Sequence, residues 1–182
     1  MLNGKIVIAE VGVGPLNLCF SALHWGRNDT HFMLFEPLPD HHDEVKSAAA
    51  GRSNVEIHNV AIGDEDGTAQ FQVDGSSSAI SGINSPIFEH RGTDSKKIID
   101  VQVRKISNYD FGQIDVLRCD TEGAEWFCIK HLVSRPKQIV IEMYNHLGIY
   151  INPYLIEIDD WAKSNGYQKT SVANADFVYQ LK

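Results

Sequence analysis

Residues 5–40 read KIVIAEVGVGPLNLCFSALHWGRNDTHFMLFEPLPD. Residues 5–11 are a β-branched apolar run of strand type. Gly12-Val13-Gly14 follows it directly, and then Pro15, which suits the first position of a helix because no N–H partner is needed there. Leu16, Cys19, Phe20 and Leu23 fall at i, i+3, i+4 and i+7, which predicts one apolar helical face closed by Gly26. A second apolar run, residues 32–35, ends in Glu36-Pro37. Strand, glycine turn, helix, strand and acid in this order predict a nucleotide-type site in a doubly wound sheet. The two glycines let a ligand approach the backbone. Glu36, about 20 residues beyond them, is the expected acceptor of hydrogen bonds from two ribose hydroxyls.

The departures from the dinucleotide fingerprint narrow the ligand. G-x-G-x-x-G/A asks for a third small residue, and Asn17 stands there. Pro15 removes one N–H from the phosphate-facing end. Glu10, at the end of the first strand, repels a pyrophosphate but attracts an ammonium or a sulfonium. S-adenosylmethionine, with ribose and adenine and no phosphate, tolerates all three departures, so it is the expected cofactor ahead of NAD.

Bulk properties exclude other classes. A chain of 182 residues is long enough for a substantial core and is expected to be one domain. Its 43% hydrophobic and 22% charged residues are ordinary for a soluble protein. With a formal net charge of −8 and no basic stripe, nucleic acid is not an expected partner. Cys19, Cys119 and Cys128 read as buried reduced thiols in a cytoplasmic setting. No zinc spacing is present, and His41 and His42, at a solvent-facing helix start, read as polar residues rather than metal ligands. No run approaches the ~18 apolar residues of a membrane span. The first strand begins almost at once, so no signal peptide is expected.

Further along, residues 40–51 predict a second helix and residues 55–62 (VEIHNVAI) a third strand. Residues 63–67 (GDEDG) make a turn, and 68–73 (TAQFQV) a hairpin strand. Residues 74–97 are rich in Ser and Gly and too long for a simple connection. A loop over 76–96 is expected beside the acceptor pocket. Residues 98–103 are the hairpin partner, 106–111 a short helical turn and 114–119 a buried strand. A helix over 125–133 is stopped by Arg135-Pro136, and residues 138–143 are a further core strand. Asp159 and Asp160 are expected to cap a helix running through Ser164. Residues 167–181 read as two β stretches around a turn at 173–175. The whole is an α/β fold, with a mostly parallel sheet, helices on both faces and an antiparallel strand near the C-terminus. Gly12, Gly14, Glu36, residues 61–64 and residues 120–125 follow strand ends, so they should converge on one rim.

Four stretches together resemble the FkbM-like S-adenosylmethionine-dependent methyltransferases. Val11-Gly12-Val13-Gly14 resembles the first methyltransferase motif, and Phe35-Glu36-Pro37 the family's "FEP". Residues 59–64 (NVAIGD) with Gly67 resemble its "N-x-A-hydrophobic-G-D…G". Residues 115–125, ending CDTEGAE, resemble its "KIDVEGAE", the most specific of the four. Glu10 stands where the family usually has Asp, and Arg118 where it usually has Lys. The resemblance implies a Rossmann-like class I methyltransferase fold. It implies Gly12 and Gly14 along the methionine part of the cofactor and Glu36 at the ribose. Ile62, Gly63 and Asp64 would lie near the adenine, and Asp120 and Glu122 close to the methyl group.

The expected function is methyl transfer to a hydroxyl of a small molecule or a sugar. Two other readings stay open: a non-catalytic partner subunit of the same fold, suggested by short length and the lack of an N-terminal cover, and, further off, a nicotinamide-dependent oxidoreductase. Methyl transfer needs alignment of the acceptor, and a hydroxyl acceptor needs a base. Asp120, Glu122, Glu142 and His146 are the candidates at strand carboxyl ends. Asp120 ranks first, since it ends a buried strand opposite the glycine turn. His146 ranks second, since imidazole titrates nearest neutral pH. Glu122 or Glu125 also reads as an acid that simply favours the helix N-terminus electrostatically.

Overall fold

The computed structural model describes residues 4–73, 78–80, 97–142, 152–173 and 176–182. In chain order the strands are β1 (Ile6–Val11), β2 (Thr30–Phe35), β3 (Val55–His58), β4 (Ala61–Ile62), β5 (Gly67–Val73), β6 (Ala79–Ile80), β7 (Lys97–Arg104), β8 (Val116–Cys119), β9 (Gln138–Glu142), β10 (Tyr167–Ala173) and β11 (Asp176–Leu181). The α-helices are α1 (Pro39–Ala48), α2 (Glu125–Lys130) and α3 (Leu155–Ser164).

Seven strands form one sheet in the order β10-β11-β9-β8-β1-β2-β3. β3, β2, β1, β8 and β9 run parallel, and β11 runs antiparallel to both of its neighbours. This is the mostly parallel sheet with a reversed strand that the sequence predicts. From β1 the chain winds outward to β2 and β3, then returns to the other side of β1 as β8. The order therefore reverses between β1 and β8, and their carboxyl ends open the crevice where such sheets bind ligands.

Both faces are covered. Val7, Ala9, Val11, Leu117, Cys119, Ile139 and Ile141 alternate onto one face and pack against Cys128 and Ile129 of α2 and Ile158 and Ala162 of α3. Phe32 and Leu34 point to the other face, against Val13, Cys19, Trp25 and α1's Val45. Buried on both faces, β2 reads as a continuous apolar run, as parallel strands do. All three thiols are buried and unbridged. Among the described residues no helix is long and apolar enough to cross a membrane.

A second, four-stranded sheet has the order β4-β7-β5-β6. β5 and β7 are the expected antiparallel hairpin pair. The stretch 55–62, expected as one strand, is divided between the two sheets: β3 pairs with β2, and β4 with β7. Asn59 holds the break, its Nδ2 donating to the carbonyls of Glu36 and Pro37.

Two helical expectations are corrected. Residues 16–24 are two 3-10 turns, Leu16–Leu18 and Phe20–His24, broken at Cys19, whose backbone is extended. The cause is Glu10. Its carboxylate accepts the N–H groups of Phe20 and Ser21 at 2.9 and 3.0 Å, amides that an α-helix would bond to Leu16 and Asn17. Phe20 and Leu23 are consequently 59% and 88% exposed instead of lining a buried face. The helix through Ser164 starts at Leu155, so Asp159 and Asp160 lie inside it rather than at its cap. Asp159 is held there by tertiary partners, Lys169 Nζ and Tyr179 Oη.

The loop expected over 76–96 falls mostly outside the described residues, as do His146 and part of the 173–175 turn.

Candidate functional site

The glycine turn is set by a close approach of backbones. Gly12 has φ +78°, and a Cβ there would sit 1.7 Å from the Asp120 carbonyl oxygen. Gly12 N–H donates to Phe35 O at 3.0 Å and Asp120 N–H to Val11 O at 2.9 Å. The ends of β2, β1 and β8 are thus pinned together at one point. Only a residue without a side chain fits there.

Gly14, at φ +67°, donates its N–H to Glu36 Oε2 at 2.7 Å, and Leu38 N–H donates to Oε1 at 2.8 Å. Glycine turn and acid, separated by 22 residues, form one hydrogen-bonded unit. A carboxylate offers about four lone-pair positions. Two are filled by these amides, so each oxygen keeps one for a ligand. His41 Nδ1 stands 3.8 Å from Oε1. The nearby Glu36 carboxylate raises the imidazole pKa against a smaller opposing effect of burial.

The third component is the turn after β8. Thr121 N–H, Thr121 Oγ1 and Gly123 N–H all donate to the fully buried carboxylate of Glu125, which also accepts from Asn152 Nδ2. Burial raises the Glu125 pKa, and the amide bonds oppose that rise. This gathering of donors folds the chain back on itself and leaves Glu122 at φ 56°, in the left-handed region. Glu125 is therefore a scaffold acid at the start of α2.

These parts enclose a cavity of about 280 Å³. Of the expected site residues, Gly12, Gly14, Glu36, Ile62, Asp120 and Glu122 line it. Glu10, Gly63 and Asp64 do not. Glu10 is wholly buried, committed to the amides of Phe20 and Ser21 and 3.6 Å from Arg118 Nη1. Gly63 donates to Arg104 O, and a Cβ there would meet Val103 Cγ1 at 2.4 Å, so its smallness serves the contact between β4 and β7. Asp64 pairs with Lys130 Nζ at 2.7 Å and His131 Nε2 at 2.8 Å, bonds that lower its pKa and tie the turn to the end of α2.

The cavity also contains side chains that motif reading did not assign to it. Arg118 reaches between two acids, with Nη2 3.1 Å from Asp120 Oδ2. Its guanidinium also lies 5.8 Å from the centre of the Phe20 ring. Glu142, weighed as a base from sequence, lines the cavity beside Asp120, and its pKa is pushed up to about 9 by burial first and then by Asp120 and Glu122. An apolar wall comes from Ile62, Phe71 and Ile80 of the small sheet. Alternation along β8 puts Arg118 on the same strand face as Asp120, a signal legible once the strand is known.

The family model described as "Methyltransferase FkbM domain" matches residues 7–169. Comparison with curated proteins finds no match. Solved structures of similar shape include ribosomal protein L11 methylase from Lactobacillus delbrueckii subsp. bulgaricus, 12% identical over 98% of this chain and 71% of that one, with a TM-score of 0.49. The Methanococcus jannaschii fibrillarin pre-rRNA processing protein is 14% identical over 99% of this chain and 68% of that one, with a TM-score of 0.49. Precorrin-6y C5,15-methyltransferase from Geobacter metallireducens GS-15 is 9% identical over 98% and 82%, with a TM-score of 0.46.

Proposed function

We propose, from the premise that this chain belongs to the FkbM methyltransferase family and is an S-adenosylmethionine-dependent methyltransferase, that it methylates a hydroxyl of an uncharged small molecule or sugar. The observation that carries the proposal is the acidic cavity lining of Glu36, Asp120 and Glu122, in which Glu36, held by Gly14 and Leu38, offers acceptor positions to a ribose and Asp120 offers a base.

The residues present fit the cofactor. Glu36, Asp120 and Glu122 line the cavity against Arg118 and His41, an acidic set that suits a sulfonium and an ammonium and opposes a pyrophosphate. Glu36 would accept from the ribose hydroxyls. Gly12 and Gly14 would border the methionine portion, and Ile62 the adenine. When bound, the cofactor supplies an electrophilic methyl group.

The chain's own residues would do the rest. Asp120, its Oδ2 held by Arg118, would take the acceptor's hydroxyl proton. The same acidic lining disfavours carboxylate or phosphate acceptors, which supports a neutral hydroxyl as the target. The apolar wall of Ile62, Phe71 and Ile80 would exclude water beside it.

Calorimetry with S-adenosylhomocysteine and NADH tests this reading. S-adenosylhomocysteine is expected to bind. Glu36→Ala is expected to weaken it by ~2–3 kcal/mol, the scale of hydrogen bonds to a charged group. Binding of NADH alone, or undiminished affinity in Glu36→Ala, would overturn the proposal.

A further inference from the structure

We infer that Glu142 and Asp120 act as one proton-sharing carboxyl pair, in which Glu142 carries the proton and holds Asp120 in position; the inference rests on the reading of Asp120 as the base.

The sheet register sets the pair. Cys119 lies opposite Ile141 across the parallel β8–β9 pair, so the next residues, Asp120 and Glu142, emerge side by side at the carboxyl ends. Both line the cavity, so the two carboxyl groups stand next to each other at its wall. Two neighbouring carboxyl groups cannot both ionise cheaply in a partly buried site, so one keeps its proton. Which one keeps it follows from the cation. Arg118 lies 3.1 Å from Asp120 and 3.6 Å from Glu10 and forms its ion pairs with those two. Among the described residues no cation makes a comparable contact with Glu142.

Of the other groups around Glu142, Glu122 acts in the same direction. Glu122 faces it from the turn after β8 and disfavours its charge. On its other side Asp176 of β11 is its register partner, a further acid in the row. Arg118 alone opposes, and burial is the largest influence in favour of the neutral form.

A neutral Glu142 donates its O–H to Asp120. That bond restrains the Asp120 carboxylate from one side while Arg118 restrains it from the other. Glu142 is therefore a positioning residue. During transfer the proton leaving the acceptor oxygen passes to the Asp120 carboxylate, and the pair then holds two protons until one is lost to solvent.

The test is a carboxyl-carbon NMR titration of ligand-free protein labelled at glutamate. Glu142→Gln identifies the Glu142 signal by its loss, and Glu142→Asp does so if the first variant fails to fold. The expected result is a Glu142 midpoint well above the ordinary glutamate value of about 4.3, with the proton present at pH 7. In Asp120→Asn the midpoint should fall, yet stay above the ordinary value because burial persists. An ordinary midpoint in the native protein, or no fall in Asp120→Asn, overturns the pair. Neither readout needs cofactor. A high Glu142 midpoint with no binding of S-adenosylhomocysteine supports the pair and sinks the proposed function. A low midpoint with normal binding does the reverse.

Discussion

Replacing Gly12 by alanine should unlock the junction of β1, β2 and β8. The added Cβ would lie 1.7 Å from Asp120 O, and real contacts essentially never fall below 3.0 Å, so the two backbones must separate by at least 1.3 Å. The obstacle is main chain and has no alternative rotamer. The left-handed φ of +78° costs an alanine about 1–2 kcal/mol by itself. Separation stretches Asp120 N–H to Val11 O and Gly12 N–H to Phe35 O, at about 1 kcal/mol each, more if either donor stays buried and unpaired. The expected loss is ~3–5 kcal/mol. In a chain of this size that lowers the melting temperature by ~10 °C. Urea unfolding of Gly12→Ala beside Gly26→Ala is the assay. Gly26 receives the same methyl with nothing within 4 Å and no left-handed φ, and should change by less than about 0.5 kcal/mol. A Gly12→Ala protein within about 1 kcal/mol of the native one would refute the reasoning.

Glu125→Ala strips the acceptor from Thr121 N–H, Gly123 N–H and Asn152 Nδ2, and is expected to cost ~3–5 kcal/mol in urea unfolding and to abolish S-adenosylhomocysteine binding. Asp64→Ala removes an exposed ion pair, so a stability change under about 1 kcal/mol and unaltered cofactor affinity are expected; a tenfold loss of affinity would put Asp64 back at the adenine. His41 has a raised pKa in the folded protein, so its contribution is complete below the unfolded value of about 6.5 and fades as pH rises through the folded one. Stability measured upward across that window should fall more steeply in native protein than in His41→Asn, and equal slopes would contradict the Glu36–His41 contact.

Local patterns carried much of the site because its anchor residues sit at strand ends. A β-branched run stopped by Gly12 and Gly14, and an apolar run stopped by Glu36, can be read without knowing the fold, and the structure joins them by one hydrogen bond. The hairpin of β5 and β7 and the reversed strand β11 were legible from alternation and turn residues for the same reason. Tertiary partners hid the rest. Glu10 looked like a ligand group because the amides that occupy it lie ten and eleven residues onward. Those bonds also cancel the helix that residues 16–23 spell by periodicity. Asp159 looked like a cap until Lys169 and Tyr179 were brought to it. Gly63 and Asp64 have turn chemistry whether or not a ligand is near. The partnership of Asp120 with Glu142 depends on the register of β8 against β9, which no local pattern encodes.

Asn59, where the chain leaves β3 for β4, divides the labour of the cavity between two sheets. The acids hang from the large sheet and its turns, while Ile62, Phe71 and Ile80 belong to the small one. Charge and shape are therefore inherited from separate pieces of scaffold. Substitutions at Phe71 or Ile80 can widen or narrow the chamber while the Glu36 and Asp120 carboxylates stay where β2 and β8 hold them. Repacking that hairpin alters the room in the chamber without touching the strands that carry its acids.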